Sequence, residues 1–97
     1  MAKGYWIAAY REVRDPDKLA AYAELAGVAI QAGGGRFLAR GGQVQPYEDG
    51  VAERTVLIEF PTYEAAVATY EGDGYQEALK RLGDGAVRDL RIVEGVD

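Results

Sequence analysis

The stretch Arg54-Thr55-Val56-Leu57-Ile58-Glu59-Phe60 reads as the clearest strand in the chain, and Pro61 closes it. Branched and aromatic residues favour a pleated surface, and a proline cannot donate to a continuing ladder. The two alternating faces differ. Val56, Ile58 and Phe60 form a wholly apolar set that belongs under covering helices, while Thr55, Leu57 and Glu59 form a mixed set.

Downstream, Thr62 is placed to cap a helix whose inner face carries Tyr63, Ala66, Val67 and Tyr70. Gly72-Asp73-Gly74 interrupts it, and a further helical piece follows with Tyr75, Ala78, Leu79 and Leu82 on one side. Gly83-Asp84-Gly85 ends that piece, and Val87 to Glu94 supplies another strand. Upstream, Arg36 to Arg40 reads as a strand, with Gly41-Gly42 marking a bulge or a close backbone approach. Gln43 to Tyr47 is expected to continue it towards a turn at Glu48-Asp49-Gly50.

Before that lies a helix. Asp15 suits its N-cap and Pro16 its first position, where a missing N–H costs nothing. Leu19, Tyr22, Ala23, Ala26 and Ile30 recur at helical spacing, and Gly33-Gly34-Gly35 stops the helix. Tyr5-Trp6-Ile7-Ala8-Ala9-Tyr10 is a strand apolar or amphipathic on both faces, hence central. The order β-α-β-β-α-β predicts an α+β, ferredoxin-like sandwich: a four-stranded antiparallel sheet with both helices on one face. Residues 1–97 read as one domain, with no linker or repeat.

Composition narrows the chemistry. The 97 residues include no Cys, His, Ser or Asn. Disulfides, thiol catalysis, Ser-His-Asp triads and histidine acid–base chemistry are therefore excluded, and no metal or other cofactor is expected. The net charge of −5 and scattered bases exclude the basic footprint of a nucleic-acid binder. No apolar run approaches the roughly 18 residues of a membrane span. Met1-Ala2-Lys3-Gly4 leads straight into strand-like residues without a signal-peptide pattern, so the expected address is the cytoplasm. The glycine clusters lack the strand-to-helix context of a phosphate loop and read as caps and turns.

With helices on one face, the other face needs a cover. A hairpin turning at Glu48 to Val51 without a net bulge would set Arg40 opposite Glu59. Arg36, Leu38 and Arg40 would then share the mixed face with Leu57 and Glu59. On this register Arg40 and Glu59 are the first ligand-binding candidates. A guanidinium can fork onto a carboxylate or enolate, and a buried carboxylate can act as a base. A structural ion pair is the competing explanation. Trp6, Tyr70 and Arg54 complete the candidate set, and Tyr5, Tyr10, Tyr22 and Tyr75 could add aromatic walls.

Gly4-Tyr5-Trp6-Ile7, Asp15-Pro16, Gly34-Gly35-Arg36-Phe37-Leu38, Arg40-Gly41-Gly42, Ile58-Glu59-Phe60-Pro61 and Ile92-Val93-Glu94-Gly95 carry a further signal. Together with Arg54, Tyr70 and Tyr75, their order and spacing resemble the bacterial family catalogued as domain of unknown function 1330. The resemblance implies a homodimer, a dimeric α/β barrel with two sheets packed face to face, and supplies no reaction. The expected function is binding of a small, partly apolar organic acid or carbonyl compound between the sheets. The alternatives are a cofactor-independent monooxygenase or isomerase of small aromatic compounds, and a structural or regulatory dimer without chemistry.

Overall fold

The computed structural model of the chain describes residues 2–96, and Met1 and Asp97 lie outside them. The elements are β1 (Gly4–Val13), α1 (Pro16–Ala32), β2 (Arg36–Arg40), β3 (Thr55–Phe60), α2 (Tyr63–Glu71), α3 (Asp73–Leu82) and β4 (Ala86–Glu94). The strands form one sheet in the order β2-β3-β1-β4, every neighbour antiparallel. This is the ferredoxin-like arrangement, with the second crossover split into two helices at Gly72.

Local signals set the helix ends. The Asp15 carboxylate accepts from the amides of Asp17 (3.0 Å) and Lys18 (3.2 Å), satisfying two free donors of α1. The Thr62 hydroxyl accepts from the Ala65 amide at 3.0 Å and starts α2. After α1 the chain turns at Gly34, whose φ of 91° lies in the left-handed region that favours glycine.

The core lies between the sheet and the helices. Trp6, Ala8 and Tyr10 of β1 and Val56, Ile58 and Phe60 of β3 are buried on the helix-facing side. Tyr22, Ala26 and Ile30 of α1 close over them, with Ala66 of α2 and Tyr75, Ala78 and Leu82 of α3. Cross-strand pairing puts Tyr5, Ile7 and Ala9 on the opposite face, with Thr55, Leu57 and Glu59 beside them. Asp89, Arg91 and Val93 of β4 extend that open face.

Two expectations need correcting. The residues Gln43 to Tyr47 do not extend β2; residues 41–54 form a loop. Gly41 takes a φ of 72°, which turns the backbone out of the extended region just where the strand would continue. Tyr63 stands at the exposed start of α2 rather than on its inner face, which Ala66 and Tyr70 supply.

Candidate functional site

Register decides which side chains meet. Arg36 pairs with Glu59 and Phe37 with Ile58, but Ala39 pairs with Leu57 and Arg40 with Val56. Leu38 is the extra residue of a β-bulge, and it breaks the assumed register. A shift of one residue moves a side chain to the other face. Arg40 therefore lies on the helix side with Val56, and it does not face Glu59.

Glu59 stays on the open face, where it is held by structural partners. Arg36 Nη2 donates to its Oε1 at 2.9 Å, Lys3 Nζ lies 3.4 Å away, and the Tyr5 hydroxyl reaches Oε2 at 3.4 Å. Partial burial raises the carboxyl pKa, but the nearby Lys3 and Arg36 charges outweigh it and hold the group below its ordinary value. A carboxylate so paired is a poor general base.

Between α1 and the helix-facing side of the sheet lies a cavity of about 270 Å³. Its walls are largely apolar, from Trp6, Leu19, Ile30, Phe37, Ile58 and Leu90 among others. Small residues of α1, including Ala20, Ala23 and Gly27, leave the space open, and nothing lies within 4 Å of a Cβ built at Gly27. The polar lining consists of Arg40, Arg54, Arg88 and three tyrosines, Tyr10, Tyr22 and Tyr75. No Asp or Glu contributes to the wall.

The three arginines are positioned by the sheet. Tyr10 pairs with Arg88 across β1 and β4, and the Tyr10 amide donates to the Arg54 carbonyl at 2.9 Å. Arg54, Tyr10 and Arg88 thus sit side by side at one end of the sheet. The Arg54 and Arg88 guanidinium carbons lie 5.9 and 5.6 Å from the centre of the Tyr10 ring. Arg40 stacks over the Phe37 ring at 4.3 Å. Among the described residues none of the three forms an ion pair with a carboxylate. Arg54 Nε is buried and has no hydrogen-bond partner.

Arg88 is held by hydroxyls instead. Its Nη1 donates to the Tyr22 hydroxyl at 3.0 Å and its Nη2 to the Tyr75 hydroxyl at 3.3 Å. Burial pushes the Tyr75 phenol well above its ordinary pKa, so it is protonated at neutral pH. Burial also works against the Arg88 charge, but the Tyr22 and Tyr75 oxygens outweigh it and keep the guanidinium charged.

Of the five expected site residues, Trp6, Arg40 and Arg54 line this one cavity. Trp6 is buried beneath the helices rather than in an inter-sheet cleft, and its indole N–H donates to the Ala66 carbonyl at 2.9 Å. Tyr70 packs on Trp6 and Tyr75, at centroid distances of 5.8 and 5.1 Å, behind the cavity wall. Glu59 lies across the sheet from it. Arg88 was missed, although its signal is legible: Arg88, Leu90 and Ile92 share a strand face, and an arginine on an apolar face needs a partner or a ligand. Among the described residues no group of three or more acidic side chains is placed to hold a metal ion. No helix among them is long and apolar enough to cross a membrane.

Comparison with solved structures places the fold. A protein of unknown function from Rhodopseudomonas palustris superposes with a TM-score of 0.75 at 20% identity, covering 99% of this chain and 84% of that one. A Caulobacter crescentus protein, provisionally assigned as an antibiotic biosynthesis monooxygenase, gives 0.63 at 17% identity, covering 99% and 92%. SnoaB, a cofactor-independent oxygenase from Streptomyces nogalater, gives 0.55 at 9% identity, covering 99% and 93%. At such identities the likeness speaks for the fold alone. No curated protein sequence matches the chain. The family model described as a domain of unknown function (DUF1330) matches residues 3–96, and the chain belongs to that family.

Proposed function

We propose that the protein binds a small organic anion with an apolar body, such as an aromatic or aliphatic carboxylate, in the cavity between α1 and the sheet. The observation that carries this reading is the set of arginines without carboxylate partners. Arg54 and Arg88 are half-buried against aromatic rings, and a half-buried arginine that finds no acid in its own chain is poised for one from outside. Arg54 Nε, buried and unpartnered, supports a missing acceptor at that spot. The apolar walls suit the ligand body, and a cavity of about 270 Å³ limits it to a small molecule.

A thermal-shift series with benzoate and hexanoate tests this. Ligand that binds only the native state raises the melting temperature with concentration. Arg54→Met should fold and lose the shift. No shift with any small carboxylate would refute the reading.

Cofactor-independent oxygenation of an aromatic substrate is a second reading, supported by the fold shared with SnoaB. Arginines could steady an enolate, but the wall offers no carboxylate or histidine as a base. Binding without chemistry therefore fits the lining better.

The same reading includes a homodimer formed through the open faces. Ile7, Leu38 and Val93 are exposed there at 36%, 45% and 46%, on a sheet whose helices cover only the other side. Two such faces in contact would bury on the order of 1,200–2,000 Å² in all. The ligand cavity then belongs to each protomer separately, and not to the space between the sheets.

A further inference from the structure

We infer that the cavity takes a dicarboxylate, an apolar chain or ring with an acid group at each end. The inference rests on the anion-binding reading above and adds a second polar station to it. The arginines reach the cavity from different parts of the sheet. Arg40 ends β2 just before the loop of residues 41–54, and Arg54 is the last residue of that loop, at the β2–β3 side of the sheet. Arg88 stands on β4, at the opposite side, with Tyr10 of β1 between. The Arg54 and Arg88 guanidinium groups each lie within 6 Å of the Tyr10 ring centre.

Each station has a donor to spare. At the first, Arg54 Nε is buried without a partner. At the second, hydrogen counting leaves one over. The Tyr22 and Tyr75 oxygens are 2.6 Å apart, so one hydroxyl donates to the other. Both oxygens also accept from Arg88. The second hydroxyl hydrogen has no acceptor among the described residues, yet Tyr22 and Tyr75 are only 7% and 1% exposed. A buried O–H without an acceptor is costly, and a carboxylate oxygen from a ligand would satisfy it. Arg88 uses two of its five N–H groups on the tyrosines and can give others to the same carboxylate. Charge agrees: three uncompensated guanidinium groups match a dianion better than a monoanion.

Calorimetric titration of the unmodified protein decides the matter. The probes are the straight-chain dicarboxylates from glutarate to suberate, each against the monocarboxylate of the same carbon number. At least one dicarboxylate should bind ten times or more tightly than its monoacid. Arg88→Lys, which keeps the charge but loses the fork, should shrink the ratio of dicarboxylate to monoacid affinity by about threefold or more, whatever it does to the monoacid itself. If monoacids bind and no dicarboxylate exceeds its partner, the cavity has a single anion station and the inference falls while the proposed function stands. If no acid of either series binds, both fall.

Discussion

The hydroxyls of Tyr22 and Tyr75 meet 2.6 Å apart, bringing α1 and α3 together over the guanidinium of Arg88 on β4. One residue pair thereby ties both crossover connections to the edge strand of the sheet. Their rings meet edge to face at 5.9 Å, and Tyr75 packs in turn against Trp6 at 4.8 Å. The polar contact is thus embedded in the aromatic part of the core.

Because the hydroxyls share a hydrogen and a common donor, their removal should not be additive. Tyr22→Phe and Tyr75→Phe should each destabilise the fold by about 1–3 kcal/mol, since each strands a buried donor. The double variant should fall short of the sum by about 0.5 kcal/mol or more. Urea unfolding measures all three. Additivity within about 0.3 kcal/mol would mean that the two hydroxyls act independently.

Glu59 predicts an acid-side dependence of stability. Its folded pKa lies below the ordinary 4.5, because Lys3 and Arg36 outweigh the opposing effect of burial. The unfolded chain then binds the proton more readily than the folded one. The stabilisation is present above the ordinary value and is lost as pH falls through the folded pKa. Glu59→Gln should give a shallower loss of stability below pH 4.5 than the unmodified protein, by denaturant melts at a series of pH values. Identical slopes would remove Glu59 from the account of acid unfolding.

Gly41 links the loop to the cavity. Its φ is 72°, and a Cβ there would collide with Arg54 Nη1. Gly41→Ala should cost about 1–2 kcal/mol for the left-handed conformation. The guanidinium, at the end of a flexible side chain, should swing away and weaken benzoate binding. Melting temperature and benzoate affinity measured together check this. An unchanged affinity would show that Arg54 does not reach the ligand.

The open face makes its own prediction. Ile7 lies on β1, near the middle of the sheet, so a charge there faces the partner in a face-to-face dimer. The unmodified protein should sediment as a dimer at micromolar concentration and Ile7→Glu as a folded monomer. A monomeric unmodified protein would contradict the dimer outright.

Element order, caps and the buried set Val56, Ile58 and Phe60 were legible in the sequence, because each rests on local chemistry: alternation, an N-capping acid, a glycine stop. The site was only half legible. Arg40 was assigned to the wrong face since nothing in Arg36-Phe37-Leu38-Ala39-Arg40 announces a bulge at Leu38. A bulge is a property of two paired strands, and one strand alone does not encode it. The same slip exchanged the partner of Glu59 from Arg40 to Arg36. Trp6 and Tyr10 followed the parity of β1 into the core, which their amphipathic neighbours Tyr5, Ile7 and Ala9 had masked. The cavity itself depends on how far α1 stands from the sheet, a tertiary distance no periodicity carries.

The most direct test of the anion pocket is a heteronuclear NMR titration of the protein with benzoate, which reads both faces of the sheet at once. The side-chain Nε–H signals of Arg54 and Arg88 should shift together with the amides of Ala8, Tyr10, Val56 and Leu90. Tyr5, Ile7, Leu57 and Arg91 on the open face should stay in place. Shifts confined to the open face, or no shift at millimolar benzoate, would contradict a ligand site between α1 and the sheet.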